Sequence, residues 1–197
     1  MEGANIRFGM RGSTGAIDHV SDGGYSVIGD TEASGICGSG LVDAVAVMLR
    51  KGLLNKRGRV QTEDHNWHLT PEIYISQEDI RQVQLAKGAV AAGIELMCAD
   101  VGITPAEIDR CILAGAFGSF LNPDSACRIG LLPESLQGKI QSVGNGALVG
   151  AKMLAKDKGQ LKLAAKLVEQ IRVLELASLP EFQRAFGKAM GFREETV

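Results

Sequence analysis

Three glycine-rich turns constrain the fold of this 197-residue chain more than any other feature of its sequence. Each turn follows an apolar or extended stretch and precedes a segment whose apolar residues recur with helical spacing. Glycine weakens strands and helices but permits sharp turns and close approach of the backbone, so its recurrence here indicates strand–turn–helix units. Such units predict an α/β fold. The three turns are Gly38-Ser39-Gly40, Gly115-Ala116-Phe117-Gly118 and Gly144-Asn145-Gly146.

The first half of the chain adds a hairpin and two helices to this pattern. Two short strands flank a turn at Asp22–Gly24, and apolar spacing over 41–49 predicts a helix. A long helix begins at Ser76, where Asp79 three residues later forms an acidic version of the capping box. Its predicted buried face consists of Ile80, Val83, Val90, Ile94, Met97 and Val101, and its small residues Ala86, Ala89, Ala92 and Gly93 suit close packing.

Helix caps and short apolar runs alternate in the second half of the chain. Thr104 and Glu107 form a capping box around a proline at the first helical position, and a buried strand is predicted over 111–114. Asn122, followed by proline, starts the next helix, and a further strand is predicted over 140–143. The tail predicts a helix, a short strand over 171–176 and an amphipathic helix from 180 onward.

Composition and charge exclude several classes of function. The formal net charge is −2 and no basic stripe stands out, so we do not expect a nucleic-acid partner. No apolar run approaches the ~20 residues of a membrane-spanning helix. The four cysteines are widely spaced without any CxxC pattern, which predicts buried free thiols in a reducing cytoplasm. They are Cys37, Cys98, Cys111 and Cys127.

A polar segment over 55–75 contains the only grouping that resembles a metal site. His65 and His68 stand three residues apart beside Glu63 and Asp64. No third ligand is fixed by this spacing, and the segment has the composition of an exposed excursion. A solvated loop or hairpin is therefore favoured over a metal centre, and no metal ligands are assigned.

The three glycine turns point to a nucleotide when they are taken together. Exposed N–H groups at helix starts favour anions, and glycines let the backbone approach a phosphate or a purine face. In α/β folds ligands bind at the carboxyl ends of the strands, where these turns are predicted. No Walker-type GxxxxGK[ST] pattern occurs. For Gly38-Ser39-Gly40 two interpretations stay open, a phosphate or anion loop and a simple helix start.

The order of the motifs resembles a known family. The stretch "DRCILAGAFGSFLN" is similar to the adenosine motif of the actin, sugar-kinase and Hsp70 superfamily, which has a ribonuclease H-like fold. More narrowly, "FGMRGSTGAI", "GICGSGLVDAV", "ISQEDIRQVQLAKGAV", "ILAGAFG", "IGLLP" and "VGNGALVGAK" in this order resemble the C-terminal region of the reductive activators of corrinoid proteins. These iron–sulfur ATPases return an inactive cob(II)alamin-type cofactor to the cob(I) state.

The resemblance implies the C-terminal lobe of an actin-like ATPase, incomplete and with added helices. Its parts would be a hairpin, glycine loop and helix (1–54), the polar excursion (55–75), nucleotide-side strand and helix units (76–157) and a helical extension (158–197). Family members carry an N-terminal [2Fe–2S] domain and upstream phosphate motifs, so we expect this chain to be a fragment of a parent protein. ATP or ADP with Mg²⁺, a corrinoid protein and a cluster outside this chain are the implied cofactors and partners.

The resemblance also assigns the site residues. Gly115, Ala116, Phe117 and Gly118 would form a purine shelf, with Asn122 starting the next helix and Gly144 and Asn145 supporting the cleft. Asp43 and Asp124 lie near these motifs, but they are interpreted as a helix-surface charge and a first-turn acid. No catalytic base is named, and the fragment alone is not expected to turn over ATP.

Two other classes of function remain open at this level. A sugar- or acetate-kinase-type phosphotransferase would share the adenosine motif but would need a substrate-binding base that this half does not offer. A non-catalytic partner-binding module would use the slim long helix and the final helix as an interface. An unpaired sheet edge would also favour a homodimer.

Overall fold

The computed structural model describes residues 5–193, so the outermost residues of the predicted segments 1–54 and 158–197 lie outside the described range.

The first unit is a three-stranded sheet covered by a helix. Strand β1 (Ala16–Ser21) pairs antiparallel with β2 (Gly24–Val27) and parallel with β3 (Gly35–Ile36). The strand order is β2-β1-β3, and helix α1 (Gly38–Arg50) packs along β1. The predicted hairpin and helix are confirmed.

Helix α1 is the centre of the core. All of its residues from Gly38 to Leu49 are buried. The helix can lie this close to the sheet because Gly40 has no side chain, and a Cβ there would overlap the carbonyl oxygen of Ile17. Ser39 fixes the same contact from one residue earlier, since its hydroxyl donates to the carbonyl oxygen of Asp18 at 2.9 Å.

The polar excursion is a small hairpin that leads into the longest helix. Strands β4 (Asn66–His68) and β5 (Tyr74–Ser76) pair antiparallel, and α2 (Gln77–Asp100) follows directly. The predicted capping box is confirmed: the Ser76 hydroxyl accepts from the Asp79 N–H, and the Asp79 carboxylate accepts from the Ser76 N–H. The start of α2 is therefore determined by two residues within one turn.

The predicted apolar face of α2 is only half correct. Ile80 and Val83 are buried, but Val90, Met97 and Val101 are 45%, 50% and 58% exposed. The face of α2 that packs against the rest of the protein is rotated relative to the predicted apolar face. Its centre is formed by two polar residues and a glycine, which a prediction from the spacing of apolar residues leaves out. These are Gln84, Lys87 and Gly88.

Helix α2 packs closely against the end of the chain at Gly93, which was predicted for such a contact, and at Gly88, which was not. Helix α7 (Phe182–Ala189) lies across α2, and a Cβ at Gly88 would come within 3.1 Å of the Met190 side chain and 3.3 Å of the Phe186 ring. Leu176 approaches Gly93 in the same way, with its Cδ1 3.2 Å from the position of a Cβ. The small residues thus let the end of the chain fold back onto α2.

The third sheet contains two parallel strands. Strand β6 (Cys111–Leu113) pairs with β7 (Ile140–Ser142), and helix α3 (Gly115–Phe120) and helix α5 (Gly146–Lys156) follow these strands. Helix α4 (Pro123–Arg128) lies between them in sequence and packs on α1. The prediction that β6 is buried is wrong, since Ile112 is 57% exposed. The strand has one hydrogen-bonded neighbour among the described residues, and α5 buries no residue.

The tail departs from the prediction at one point. Helix α6 (Lys158–Gln170) and the final helix α7 are present, but residues 171–176 form no strand. Ile171 and Val173 are 67% and 81% exposed, so this β-branched run has no neighbouring strand to pair with in the described structure. A single 3₁₀ turn, Leu176–Ser178, connects it to α7.

Three of the four predicted buried thiols are buried, and the predicted reducing compartment stays a prediction. Cys37, Cys98 and Cys127 are buried and Cys111 is partly buried, all as free cysteines. Burial raises the pKa of the thiols of Cys98, Cys111 and Cys127, which makes them poor nucleophiles.

Within the described range, no helix combines the length and apolar character needed to cross a bilayer.

Candidate functional site

Two of the three glycine turns lie side by side. Strands β6 and β7 run parallel, so both turns emerge at the carboxyl edge of this sheet. The N–H of Gly115 donates to the carbonyl oxygen of Gly144 at 2.7 Å. The N–H of Val143 donates to the carbonyl oxygen of Leu113 at 3.0 Å. Turns that are far apart in the chain are therefore joined by the strand ladder itself, as expected for a ligand edge of an α/β fold.

Gly115 and Gly144, the first glycines of these two turns, are partly exposed. Gly115 and Gly144 have φ angles of +93° and +64°, which L-residues with side chains rarely adopt. No atom lies within 4 Å of the position that a Cβ would occupy at either glycine. The positive φ and the open space together leave a partly exposed strip of backbone with no side chain in front of it.

Asn145 prepares the start of α5 at the same edge. Its Oδ1 accepts from the N–H of Leu148 at 2.9 Å, so it is the N-cap of an eleven-residue helix. The helix dipole adds partial positive charge at this end. Asn145 is exposed, so its side chain is accessible from the same side as the turn.

The four residues of the AGAFG turn do not all face outward. Ala116 is exposed, whereas Phe117 is partly buried and packs against the core. A Cβ at Gly118 would come within 3.0 Å of the Leu113 side chain, so this glycine lets α3 lie against β6. Gly115 and Ala116 are therefore the more open members of the predicted shelf, whereas Phe117 and Gly118 pack against the core and β6.

Asn122 faces a different space from the glycine turns. Its Oδ1 accepts from the N–H groups of Asp124 (3.0 Å) and Ser125 (3.3 Å), which confirms it as the N-cap of α4. Its side chain lines a cleft against the β1–β2 hairpin, together with His19 and Asp43. Asp124 is exposed and accepts from the Gln137 side chain at 3.0 Å, which fits the surface role predicted for it.

The glycine loop at the start of α1 is occupied by packing contacts. Gly38, Ser39 and Gly40 are all buried. The Ser39 hydroxyl also lies 3.3 Å from the sulfur of Cys37, and no side chain caps the first turn of the helix. These contacts favour the helix-start interpretation over the anion loop, which stays a prediction.

The interpretation of Asp43 as a helix-surface charge is wrong. Asp43 is 2% exposed, and its Oδ2 lies 3.1 Å from Nδ1 of His19 and 3.4 Å from the N–H of Val20. Its Oδ1 is buried without a hydrogen-bond partner. His19 was not singled out from the sequence. An acidic residue inside an otherwise apolar helix was the signal that a partner had to exist elsewhere in the chain.

A second buried charge lies under the C-terminal helix. Lys87 is 1% exposed, and its Nζ donates to the carbonyl oxygens of Ala189 and Gly191, both at 2.6 Å. The same nitrogen lies 4.9 Å from the ring centroid of Phe192. Burial, and secondarily the charge of Arg193, lower the pKa of Lys87 to about 8. Lys87 therefore holds the end of α7 against α2.

The two neighbouring histidines are involved in local contacts. Nδ1 of His65 lies 3.2 Å from the carbonyl oxygen of Val60, and Nε2 of His68 lies 3.5 Å from the Asp64 carboxylate. Over residues 5–193, no three His, Cys, Asp or Glu side chains are grouped so that they could hold a metal ion. The hairpin interpretation of this segment agrees with the structure.

Parallel strands that end in glycine turns, each followed by a helix, are typical of α/β domains, and the comparisons with known proteins identify this one as an ASKHA domain. The family model described as the C-terminal domain of RACo, the ASKHA domain, matches residues 1–197. The chain belongs to this family, the reductive activators of corrinoid proteins, as the motif order predicted.

Individual relatives agree with this assignment. "Corrinoid activation enzyme RamQ" of Eubacterium limosum is 36% identical over 216 residues, which cover 94% of this chain and 36% of that protein. A Methanosarcina barkeri reductase of the Co(II) methylated amine-specific corrinoid protein is 29% identical over 140 residues, 71% of this chain and 25% of that one. A solved structure of a reductive activator for corrinoid, iron–sulfur protein matches with a TM-score of 0.84 at 30% identity, covering 96% of this chain and 34% of that one. The chain thus spans about a third or less of each relative's length.

Proposed function

We propose that this chain is the nucleotide-side part of an ATP-dependent activator that returns a corrinoid protein from Co(II) to Co(I) for methyl transfer. One observation carries the nucleotide assignment: the hydrogen bond from Gly115 to Gly144 joins two open, positive-φ turns at the carboxyl edge of parallel strands. The relatives support the corrinoid assignment, since they are a corrinoid activation enzyme and a corrinoid protein reductase. A corrinoid protein is accordingly the proposed partner.

The residues of this edge fit the adenosine half of a nucleotide. Gly115 and Ala116 offer a flat strip of backbone to the purine, because a side chain at Gly115 would project into the open space in front of it. Gly144 and Asn145 bound the same strip from β7, and the start of α5 adds partial positive charge. These residues bind and orient the nucleotide.

The resemblance also implies an iron–sulfur cluster, which the whole protein would carry outside this chain. The four free cysteines are separated, three of them buried, and do not form the set that an iron–sulfur cluster requires. ATP would supply the free energy that makes electron transfer to Co(II) feasible, and in this proposal that step belongs to the whole protein.

A calorimetric titration of ADP with matched glycine variants tests the nucleotide proposal. Gly115→Val places a branched side chain on the proposed purine strip and should abolish ADP binding. Gly138→Val is the control, because Gly138 also has a positive φ (+76°) and open space, but it precedes β7 at the opposite edge of the sheet. Both variants carry a similar backbone strain, so only the position of the side chain differs.

The outcomes separate the possibilities. Loss of ADP binding in Gly115→Val with retention in Gly138→Val supports the site. Equal loss in both variants means that backbone strain, not contact with the nucleotide, is responsible, and equal retention removes Gly115 from the site. The corrinoid part requires a separate assay, in which the full-length protein reduces a Co(II) corrinoid protein in the presence and absence of ATP.

A further inference from the structure

A basic loop follows helix α1 and has no role in the proposed nucleotide edge. It spans residues 55–60, with the sequence "NKRGRV", and an isolated antiparallel bridge between Leu54 and Val60 closes it. The stretch 50–59 contains five basic residues and no acidic one, in a chain whose formal net charge is −2. Positive charge is thus concentrated in one short segment of an otherwise acidic chain.

Asn55 organises the loop from within. Its Oδ1 accepts from the N–H groups of Arg57 (2.9 Å) and Arg59 (3.0 Å), and its carbonyl oxygen accepts from the N–H of Gly58 at 2.9 Å. Gly58 has a φ of +81°, which lets the chain turn sharply between the two arginines. One side chain and one glycine therefore fix the backbone on both sides of Gly58.

Helix α2 holds the same loop through two glutamines. Gln77 donates through Nε2 to the carbonyl oxygen of Gly58 at 2.6 Å and accepts through Oε1 from the N–H of Val60 at 2.9 Å. Gln84, two turns later on the same helix face, donates through Nε2 to the carbonyl oxygen of Arg57 at 3.2 Å. The loop is therefore held in place by side chains that lie 17 to 27 positions further along the chain.

The arginine side chains of the loop are exposed, whereas its backbone is bound to the protein. Among the described residues, the guanidinium groups of Arg57 and Arg59 have neither an ion pair nor a hydrogen bond. Arg81 is exposed and equally without such a partner in that part of the chain. It lies between Gln77 and Gln84 on α2, at the spacing that places all three on one helix face. Arg57, Arg59 and Arg81 thus form one arginine surface.

Pairing with carboxylates is the chemistry that this arginine surface leaves unused. A guanidinium group can bind a carboxylate through two parallel N–H donors. The chain forms arginine–carboxylate pairs elsewhere on its surface, between Arg172 and Asp100 and between Arg193 and Glu134, each at 2.7 Å. Because the loop is already held in place, its backbone loses little freedom when a partner binds.

The composition of the loop favours a protein partner over other anions. It contains no aromatic residue on which a base could stack, and a chain with a net charge of −2 repels a phosphate polymer. Small anions are usually enclosed in a pocket, whereas these guanidinium groups are exposed on a loop and a helix. Arginine is also enriched at interfaces between proteins. The expected occupant is therefore a protein surface that carries Asp or Glu side chains.

We propose that the arginine surface docks an acidic surface of the corrinoid protein, with Arg57 and Arg59 pairing with its carboxylates and Arg81 adding positive charge beside them. This rests on the proposed function, which supplies the partner, and it adds the place and the charge of the contact. The arginine surface shares no residue with the glycine turns, so docking and nucleotide binding can be altered separately.

The test follows ATP-dependent reduction of a Co(II) corrinoid protein by the full-length protein, at increasing concentrations of the corrinoid protein. Arg57→Gln combined with Arg59→Gln should raise the KM for the corrinoid protein at least tenfold, with a smaller change in kcat, because the lost contacts hold the partner throughout the reaction. Arg110→Gln is the matched control and should leave this KM unchanged. Arg110 is exposed and has no ion pair within residues 5–193, but it immediately precedes β6 in another sheet.

The outcomes separate docking from the activity itself. An unchanged KM in the double variant, or an equal rise in Arg110→Gln, overturns the docking proposal while ATP-dependent reduction by the original protein still supports the proposed function. A rise in the KM for ATP alone assigns the arginine surface to the nucleotide and also overturns docking. If the original protein does not reduce the corrinoid protein, the proposed function fails, and the partner assigned to this surface fails with it.

Discussion

Lys87 provides the sharpest test of the packing, because its charge is buried against two carbonyls and the Phe192 ring, with no carboxylate partner among the described residues. The pKa of Lys87 is lowered from 10.5 to about 8 by burial, so the folded protein releases this proton before the unfolded chain does. Between pH 8 and pH 10.5 the unfolded state binds more protons, and the free energy of unfolding therefore rises with pH in this window. Below pH 8 the buried ammonium carries its full desolvation cost.

The magnitude follows from the two pKa values. Raising the pH from 7.5 to 10 should add about 2 kcal/mol to the unfolding free energy through Lys87 alone, since each pKa unit corresponds to about 1.4 kcal/mol. Lys87→Met keeps a similar stem against Phe192 but removes the charge, so this contribution disappears. The stability of the original protein relative to Lys87→Met should thus increase by about 2 kcal/mol over that pH range.

Urea denaturation at pH 7.5 and pH 10 measures this difference directly. Effects of alkaline pH on other groups cancel when the two proteins are compared at the same pH. Lys139→Met is a useful control because Lys139 also donates to two carbonyls, those of Ala106 (2.8 Å) and Ile108 (2.9 Å), but at a less buried position. If the difference between the original protein and Lys87→Met is the same at both pH values, Lys87 is not desolvated as the structure indicates.

Two further predictions concern the local packing and the helix start. Gly40→Ala should lower the unfolding free energy by about 3 kcal/mol, because its Cβ would overlap the Ile17 carbonyl. Gly150→Ala has open space on an exposed helix and should raise the unfolding free energy by about 0.5–1 kcal/mol. Thermal denaturation of both variants checks this, and equal effects of the two substitutions would contradict the contact at Gly40. Ser76→Ala should cost about 1 kcal/mol by removing the cap of α2, measured by urea denaturation, and an unchanged midpoint would show that Asp79 suffices alone.

Features that depend on a few neighbouring residues were predictable from the sequence. The predicted caps at Ser76 and Asn122 agree with the structure because a cap is decided by one side chain and the N–H groups two or three residues later. The glycine turns after β6 and β7 were located for the same reason. Their positive φ angles at Gly115 and Gly144 are a property that few other residues can supply.

Burial was predicted less well, because it depends on what lies opposite. The run over 171–176 has the composition of a strand, but a strand needs a partner and none pairs with it within the described range. The apolar composition of β6 likewise predicted a buried strand, yet Ile112 is 57% exposed. On α2 the buried centre includes Gln84 and Lys87, whose polar ends make their bonds to distant carbonyls.

The sequence by itself determined where helices begin, where the chain turns, and which family the chain belongs to, since these depend on local chemistry and on motif order. Only the tertiary structure decided which charges are buried and what they face. Asp43 meets His19 across 24 residues, and Lys87 meets Ala189 across 102. The physical reason is that a buried charge is stable only with a partner in space, and spacing along the chain does not specify that partner.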